Sequence, residues 1–112
     1  MTPADAIAML DRQLAAHGED VVLRRGLAAA PTKTGTVRAF VRGYKPEELV
    51  SGITQKDSLA VVSPTGLAAI SWPGDVIEGD FVTINGRARR VAAVGVFKVA
   101  GTPARYELQV TG

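Results

Sequence analysis

The chain's residue pattern predicts a mainly β fold: a small barrel or sandwich with one N-terminal α-helix and one long loop. Three observations carry this. β-type runs in the last third are joined at Asn85-Gly86, where a two-residue hairpin turn needs positive φ at both positions. Apolar and polar residues alternate over Thr36–Arg42, with Val37, Ala39 and Val41 on one face and Arg38, Phe40 and Arg42 on the other. Helical periodicity occurs once, at the start. A length of 112 residues fits one domain, which the pattern divides into a helix over 1–18 and a β-barrel over 21–112 with its loop at 43–56.

In chain order, Thr2 is a candidate N-cap, Pro3 takes the favoured first helical position, and Asp5 completes a capping pattern. Ile7, Leu10 and Leu14 form one apolar stripe, and Gly18 stops the helix. Val21–Arg25 reads as a short strand ending at Gly26, and Leu27–Gly35, with Pro31, reads as loop. After the Thr36–Arg42 strand, Gly43–Lys56 has no period, and a loop of that length in so small a domain is usually functional. Ser58–Val62 reads as a buried strand closed by a Ser63-Pro64-Thr65-Gly66 turn, and Leu67–Trp72 as short strand or coil. Phe81–Ile84, the Asn85-Gly86 turn and Arg87–Val94 form a hairpin. Gly95 is expected to mark a bulge, and Val96–Val99 pairs with Tyr106–Val110 across a turn at Ala100–Pro103.

Composition narrows the function classes. Aromatic residues make up 5%, so aliphatic side chains fill a thin interior and no large ligand pocket is expected. The net charge of +2, from 13 basic and 11 acidic residues, lacks the strong basic stripe of a dedicated nucleic-acid binder. With no cysteine, disulfides and thiol chemistry are excluded. No apolar run approaches the length of a membrane helix, and a soluble, intracellular protein is expected.

Candidate chemistry is sparse. His17, the sole histidine, lies at the helix end, where an imidazole suits the terminal carbonyls. Asp75, Glu78 and Asp80 offer either a cation site or a turn whose carboxylates bond local backbone; the spacing does not match a calcium loop and favours the turn. Arg24-Arg25 and Arg87, Arg89 and Arg90 read either as charges that keep exposed strands soluble or as a surface facing DNA or an acidic partner. Arg87 and Arg89 share a face and Arg90 opposes them. Trp72 suits an interface anchor or a plug at the core's edge. No nucleophile, base or metal constellation appears, so an enzyme is the least expected class and no cofactor is implied.

The order of elements resembles the small head–tail joining proteins (head completion, or stopper, proteins) of tailed phages and prophages, the lambda-type family. The likeness rests on the helical N-terminus, the Val37-Arg38-Ala39-Phe40-Val41 strand, the loop with Pro46-Glu47-Glu48, and the run Gly79-Asp80-Phe81-Val82-Thr83-Ile84-Asn85-Gly86. That run fits the family's Gly-Asp-x-hydrophobic-x-Ile-x-Gly segment, and Val91-Ala92-Ala93-Val94 its Val-x-x-Val pattern.

The resemblance implies a structural subunit that assembles as a hexameric ring between portal or adaptor ring and tail, closing the packaged head. Its assembly loop would present Tyr44, Lys45, Glu47, Glu48, Leu49 and Ile53, ordering on assembly. Arg38, Arg42, Arg87 and Arg89 would face a partner or a lumen with transient DNA contact. Its place would be the host cytoplasm during assembly and then the virion neck, with no membrane partner. Stopper and tail-terminator proteins, both small β-rich ring subunits, share this profile. The rival reading is a small module of the OB or SH3 type that binds nucleic acid or peptide.

Overall fold

The computed structural model describes residues 2–49 and 56–111. It begins with α1 (Pro3–His17), whose start follows the capping chemistry of its sequence: the Thr2 hydroxyl accepts the Asp5 N–H at 3.1 Å, and the Asp5 carboxylate accepts the Thr2 N–H at 3.4 Å. Leu10 and Leu14 are its buried residues. The helix ends at Gly18 because the chain there passes close to the barrel. A Cβ would stand 2.5 Å from the Leu14 carbonyl oxygen and 2.8 Å from that of Ala39.

The strands β1 (Glu19–Leu27), β2 (Ala30–Gly43), β3 (Ser58–Val62), β4 (Phe81–Ile84), β5 (Arg87–Val99) and β6 (Thr102–Val110) close a barrel in the order β1-β2-β3-β6-β5-β4. All neighbours are antiparallel. A mainly β barrel with an N-terminal helix is therefore the fold. Closure comes from two long strands that change neighbours midway. β2 pairs with β1 over residues 30–39 and with β3 over 39–43. β5 pairs with β4 over 87–90 and with β6 over 91–99.

Three local expectations are corrected. Residues 27–35 are a hairpin and not a loop, because Pro31 pairs with Gly26 just past a register shift, where a missing N–H is tolerated. The bend in β5 is a register shift between Val91 and Ala93; Gly95 is regularly paired with Glu107. Residues 64–69 are a short helix, α2, and not a turn followed by strand or coil. Ser63 caps it, accepting the Thr65 N–H at 3.2 Å, and Pro64 takes the first turn. The Asn85-Gly86 turn forms as expected, with φ of 51° and 78°, and Ala100-Gly101 repeats it at 50° and 80°.

Inward side chains of all six strands, among them Leu23, Ala39, Val62, Val82, Val91 and Leu108, make one core. A second cluster lies outside the barrel wall, where Leu10 and Leu14 of α1 cover Leu59 and Val61. β3 is thus covered on both faces, which explains its unbroken apolar run from Leu59 to Val62.

One mouth of the barrel is plugged. Leu67 of α2, Trp72 and Val76 all join the core, so Trp72 is a plug and not an exposed anchor. Arg25, which the sequence reading left on the surface, holds the plug in place. Its Nε and Nη2 donate to the Asp80 carboxylate at 2.8 and 2.9 Å. The same guanidinium donates to the carbonyls of Pro73 at 3.3 Å and Asp75 at 3.1 Å, and lies 5.0 Å from the Trp72 ring centroid. Asp80, 1% exposed, also accepts the Ile77 N–H at 2.9 Å, the local backbone bond expected of this turn.

Tyr106 donates its hydroxyl to the Asp75 carboxylate at 2.5 Å. Burial first, then this hydrogen bond and the nearby negative charge, push the phenol up to about 12 from its ordinary 10.0. A raised folded-state value contributes stability that is fully present below pH 10 and is lost as pH rises through about 12. Ultraviolet titration of tyrosinate should show Tyr106 ionising late, together with unfolding. In Tyr106→Phe the amplitude of the late step should fall by one tyrosine, leaving only that of Tyr44; an unchanged late amplitude would refute the assignment.

Candidate interaction surface

The segment after β2 is structured as far as Leu49, the last residue described before Lys56. Pro46–Glu48 forms one 3-10 turn. Arg42 grips Glu48 with two bonds of 2.8 and 2.9 Å, and the Lys45 N–H donates to the same carboxylate at 2.8 Å. Tyr44 packs against the cluster beneath α1, and burial pushes its phenol up. Lys45 and Glu47 stand exposed and Leu49 is half-buried, whereas Ile53 lies outside the described residues. Of the six loop residues, Tyr44 and Glu48 therefore anchor the segment, while Lys45 and Glu47 are left exposed and Leu49 half-buried.

The Arg42 and Lys45 hydrogen bonds hold the Glu48 carboxyl at about 2, against an ordinary 4.5. A lowered folded-state value gives stability that is present above pH 4.5 and lost as pH falls through about 2. Exchange of the Leu49 amide, which donates to the Pro46 carbonyl at 3.2 Å, should accelerate over that window relative to the barrel. Glu48→Gln should be loose already at neutral pH, and an unchanged exchange rate would show that the clamp does not order the turn.

The four arginines singled out by the sequence do not share a surface. Arg38 and Arg42 project from the outer face of β2 and are used locally: Arg38 donates to the Leu14 carbonyl at 3.0 Å, at the end of α1, and pairs with Asp20 at 3.4 Å. Arg87 and Arg89 lie opposite Ile84 and Val82, on the inward side of β5, a different face of the barrel wall from Arg38 and Arg42. Arg89 reaches across to the Ser58 hydroxyl at 2.7 Å, and Arg87 is exposed beside the Asn85-Gly86 turn. The acidic cluster is likewise dispersed, with Asp80 on Arg25, Asp75 on Tyr106, and Glu78 3.7 Å from Arg90. His17 is exposed at the end of α1, beside Phe40.

What the structure gathers instead is apolar. Met9, Phe40 and Phe97 are exposed on α1 and the adjoining outer wall of β2 and β5. Two grooves flank α1, one lined by Leu10, His17, Phe40 and Arg105 and the other by Met9, Phe97 and Val99. A third, of about 290 Å³, runs between β5 and the Pro46–Glu48 turn, lined by Tyr44, Leu59, Gly95, Phe97 and Glu107.

Beside that groove is an open strand edge. β4 reaches only as far as Arg90, and Val91 is served by backbone bonds with Gly79 and Asp80. From residue 92 to 99, β5 has β6 on one side and, among the described residues, no backbone partner on the other. At the far corner the β1–β2 hairpin ends in an exposed apolar tip, Leu27-Ala28-Ala29-Ala30-Pro31, with Leu27 74% exposed. Neither feature is evident in the sequence: Pro31 and Gly35 mark residues 27–35 as loop, and the edge depends on how far β4 extends. The one available signal was the brevity of Phe81–Ile84 against the length of Arg87–Val99. Comparison with known proteins gives no family model that matches the chain and no matching curated relative.

Proposed function

We propose that this chain is a structural subunit of a phage or prophage neck, joining head to tail and closing the packaged head by assembling as a ring with copies of itself. Its partners are portal or adaptor ring and tail proteins. The observation that carries the reading is the concentration of exposed apolar side chains, grooves and an unpaired strand edge on the wall around α1 and β5. A contiguous apolar patch of that kind marks a protein–protein contact more readily than a reaction site. The order of helix, barrel and partly anchored β2–β3 connection suits the resemblance noted in the sequence. The test is co-sedimentation with portal rings and with tail tubes. The proposal expects the chain to sediment with one or both in a fixed multiple per ring; a chain left in the supernatant with both contradicts it.

One observation favours a nucleic-acid module. On the outer face of the barrel, Phe81 lies between Arg24 and Arg90 in register, and the Arg24 guanidinium sits 4.2 Å over its ring. An aromatic among arginines is the material of a base-stacking platform. Here one face of the ring is already taken by Arg24. Single-strand binding with a steep salt slope, abolished by Phe81→Ala, would support that module against the ring subunit.

A further inference from the structure

We propose that the open edge of β5 pairs with the same edge of a second copy, antiparallel and about a two-fold axis through Gly95, so that free chains join into a dimer through one continuous sheet. The contact goes beyond the ring reading and does not rest on it. It uses the same surface on both copies, is exhausted by two of them, and so cannot itself build a ring.

The edge qualifies by its own chemistry. From residue 92 to 99, β5 pairs with β6 on one side and, among the described residues, has no backbone partner on the other. Its N–H and C=O groups on that side are open to another strand. Proteins blunt such an edge with lysine, proline, an inward charge or a bulge. The stretch Ala93-Val94-Gly95-Val96-Phe97 carries none of these. They stand just outside it, as the register shifts at Val91/Ala93 and Phe97/Lys98 and as Lys98 itself.

An occupant must therefore be short, extended, apolar and free of proline, and the same stretch meets every condition. The other long unpaired strand side among the described residues, β2 over 30–38, carries Pro31, Lys33 and Arg38 and is ruled out by them. The midpoint of the β5 stretch is Gly95. Antiparallel pairing about that residue sets Phe97 opposite Ala93 of the other copy and Val96 opposite Val94. It uses the whole regular stretch and leaves both shifts outside. A slip of one residue either way would draw Lys98 or the Val91/Ala93 shift into the ladder.

The side chains fit the same register, because residues opposite each other in a ladder share a face. On the outer face, Phe97 is 54% exposed and its ring already leans over Gly95, where a Cβ would stand 3.5 Å from Cε2. The partner sets only the Ala93 methyl against it, so each ring has room beside the axis and covers the other copy's strand. On the inner face, Val94 and Val96, both packed on the core, gain β-branched neighbours. No like charges meet within the pair. Because the ladder is short and Phe97 is its one large side chain, the dimer is of the weak, concentration-dependent kind.

Sedimentation equilibrium of the isolated chain from about 1 μM to about 1 mM spans the range of such contacts. Monomer giving way to dimer is expected, and Phe97→Asp should weaken dimerisation at least tenfold at an unchanged melting temperature. Because the chain has no native cysteine, disulfides formed under mild oxidation read the register. Opposed Cα atoms lie within the ~4.4–6.8 Å that a disulfide spans, whereas the two Phe97 positions stand about 14 Å apart. Gly95→Cys should link to itself, and Phe97→Cys should link to Ala93→Cys but not to itself. The two exposed positions keep the register readable should Gly95→Cys disturb β5. A chain still monomeric at about 1 mM would overturn the proposal. So would a dimer indifferent to Phe97→Asp, or Phe97→Cys linking to itself as readily as to Ala93→Cys. The ring reading is judged separately, by co-sedimentation with portal rings and tail tubes, so either can fail while the other stands.

Discussion

Replacing Arg25 with alanine is expected to lower the barrel's stability by about 3–5 kcal/mol, the cost of leaving a buried charge without its partner. Asp80 is 1% exposed, and two of its bonds come from this guanidinium. Arg25 is also the only side chain that ties the carbonyls of Pro73 and Asp75 to β1 among the described residues, so its loss frees the plug as well as exposing the carboxylate. Arg25→Lys keeps the charge but not the planar fork and should recover only part of the stability. Asp80→Ala should cost less than Arg25→Ala, since the guanidinium side chain is 25% exposed and reaches water once released. In the double variant the two losses should fall well short of additive, because both remove one interaction. Urea unfolding of the four proteins measures this. A cost below about 1 kcal/mol for Arg25→Ala would show that the plug is held by its apolar contacts alone.

Leu108→Ala is the second large effect, at about 2–5 kcal/mol. Leu108 lies inward on β6 with no exposure, opposite Ala60 on one side and Val94 on the other. Those neighbours are small or β-branched and belong to a closed sheet, so they have little freedom to collapse into the space left behind. Leu27→Ala, on the exposed hairpin tip, removes the same atoms and should change stability by less than about 0.5 kcal/mol. The contrast separates what the core needs from what the surface offers. Equal effects at the two positions would contradict the burial assigned to both.

Much of the barrel was legible because local rules and the final fold agree. Thr2, Pro3 and Asp5 cap α1 as their types predict, and Asn85-Gly86 makes its turn. The alternation over Thr36–Arg42 puts Val37 and Ala39 inside and leaves Phe40 exposed. Errors arose where one residue type has two uses. Ser63-Pro64 reads as a turn but is equally an N-cap followed by a favoured first position, and only packing of Leu67 into the mouth decides for helix. Pro31 reads as a strand breaker but is harmless opposite Gly26.

The interaction surface was less legible for a different reason. Arg25 belongs to a charged pair in sequence, and its role depends on Asp80, far along the chain. Arg38 and Arg42 looked free because their partners, the Leu14 carbonyl and Glu48, are defined by folding. The β5 edge is a property of where β4 stops, which no pattern within β5 records.

The claim that joins these observations is that the chain works by assembling with copies of itself. Light scattering after size-exclusion chromatography, over a hundredfold range of concentration and with portal and tail proteins added in turn, measures it most directly. A species of fixed subunit number, seen as a ring by electron microscopy, is the predicted result. A chain that stays at its monomer mass of 11.7 kDa at every concentration and with every partner would contradict it.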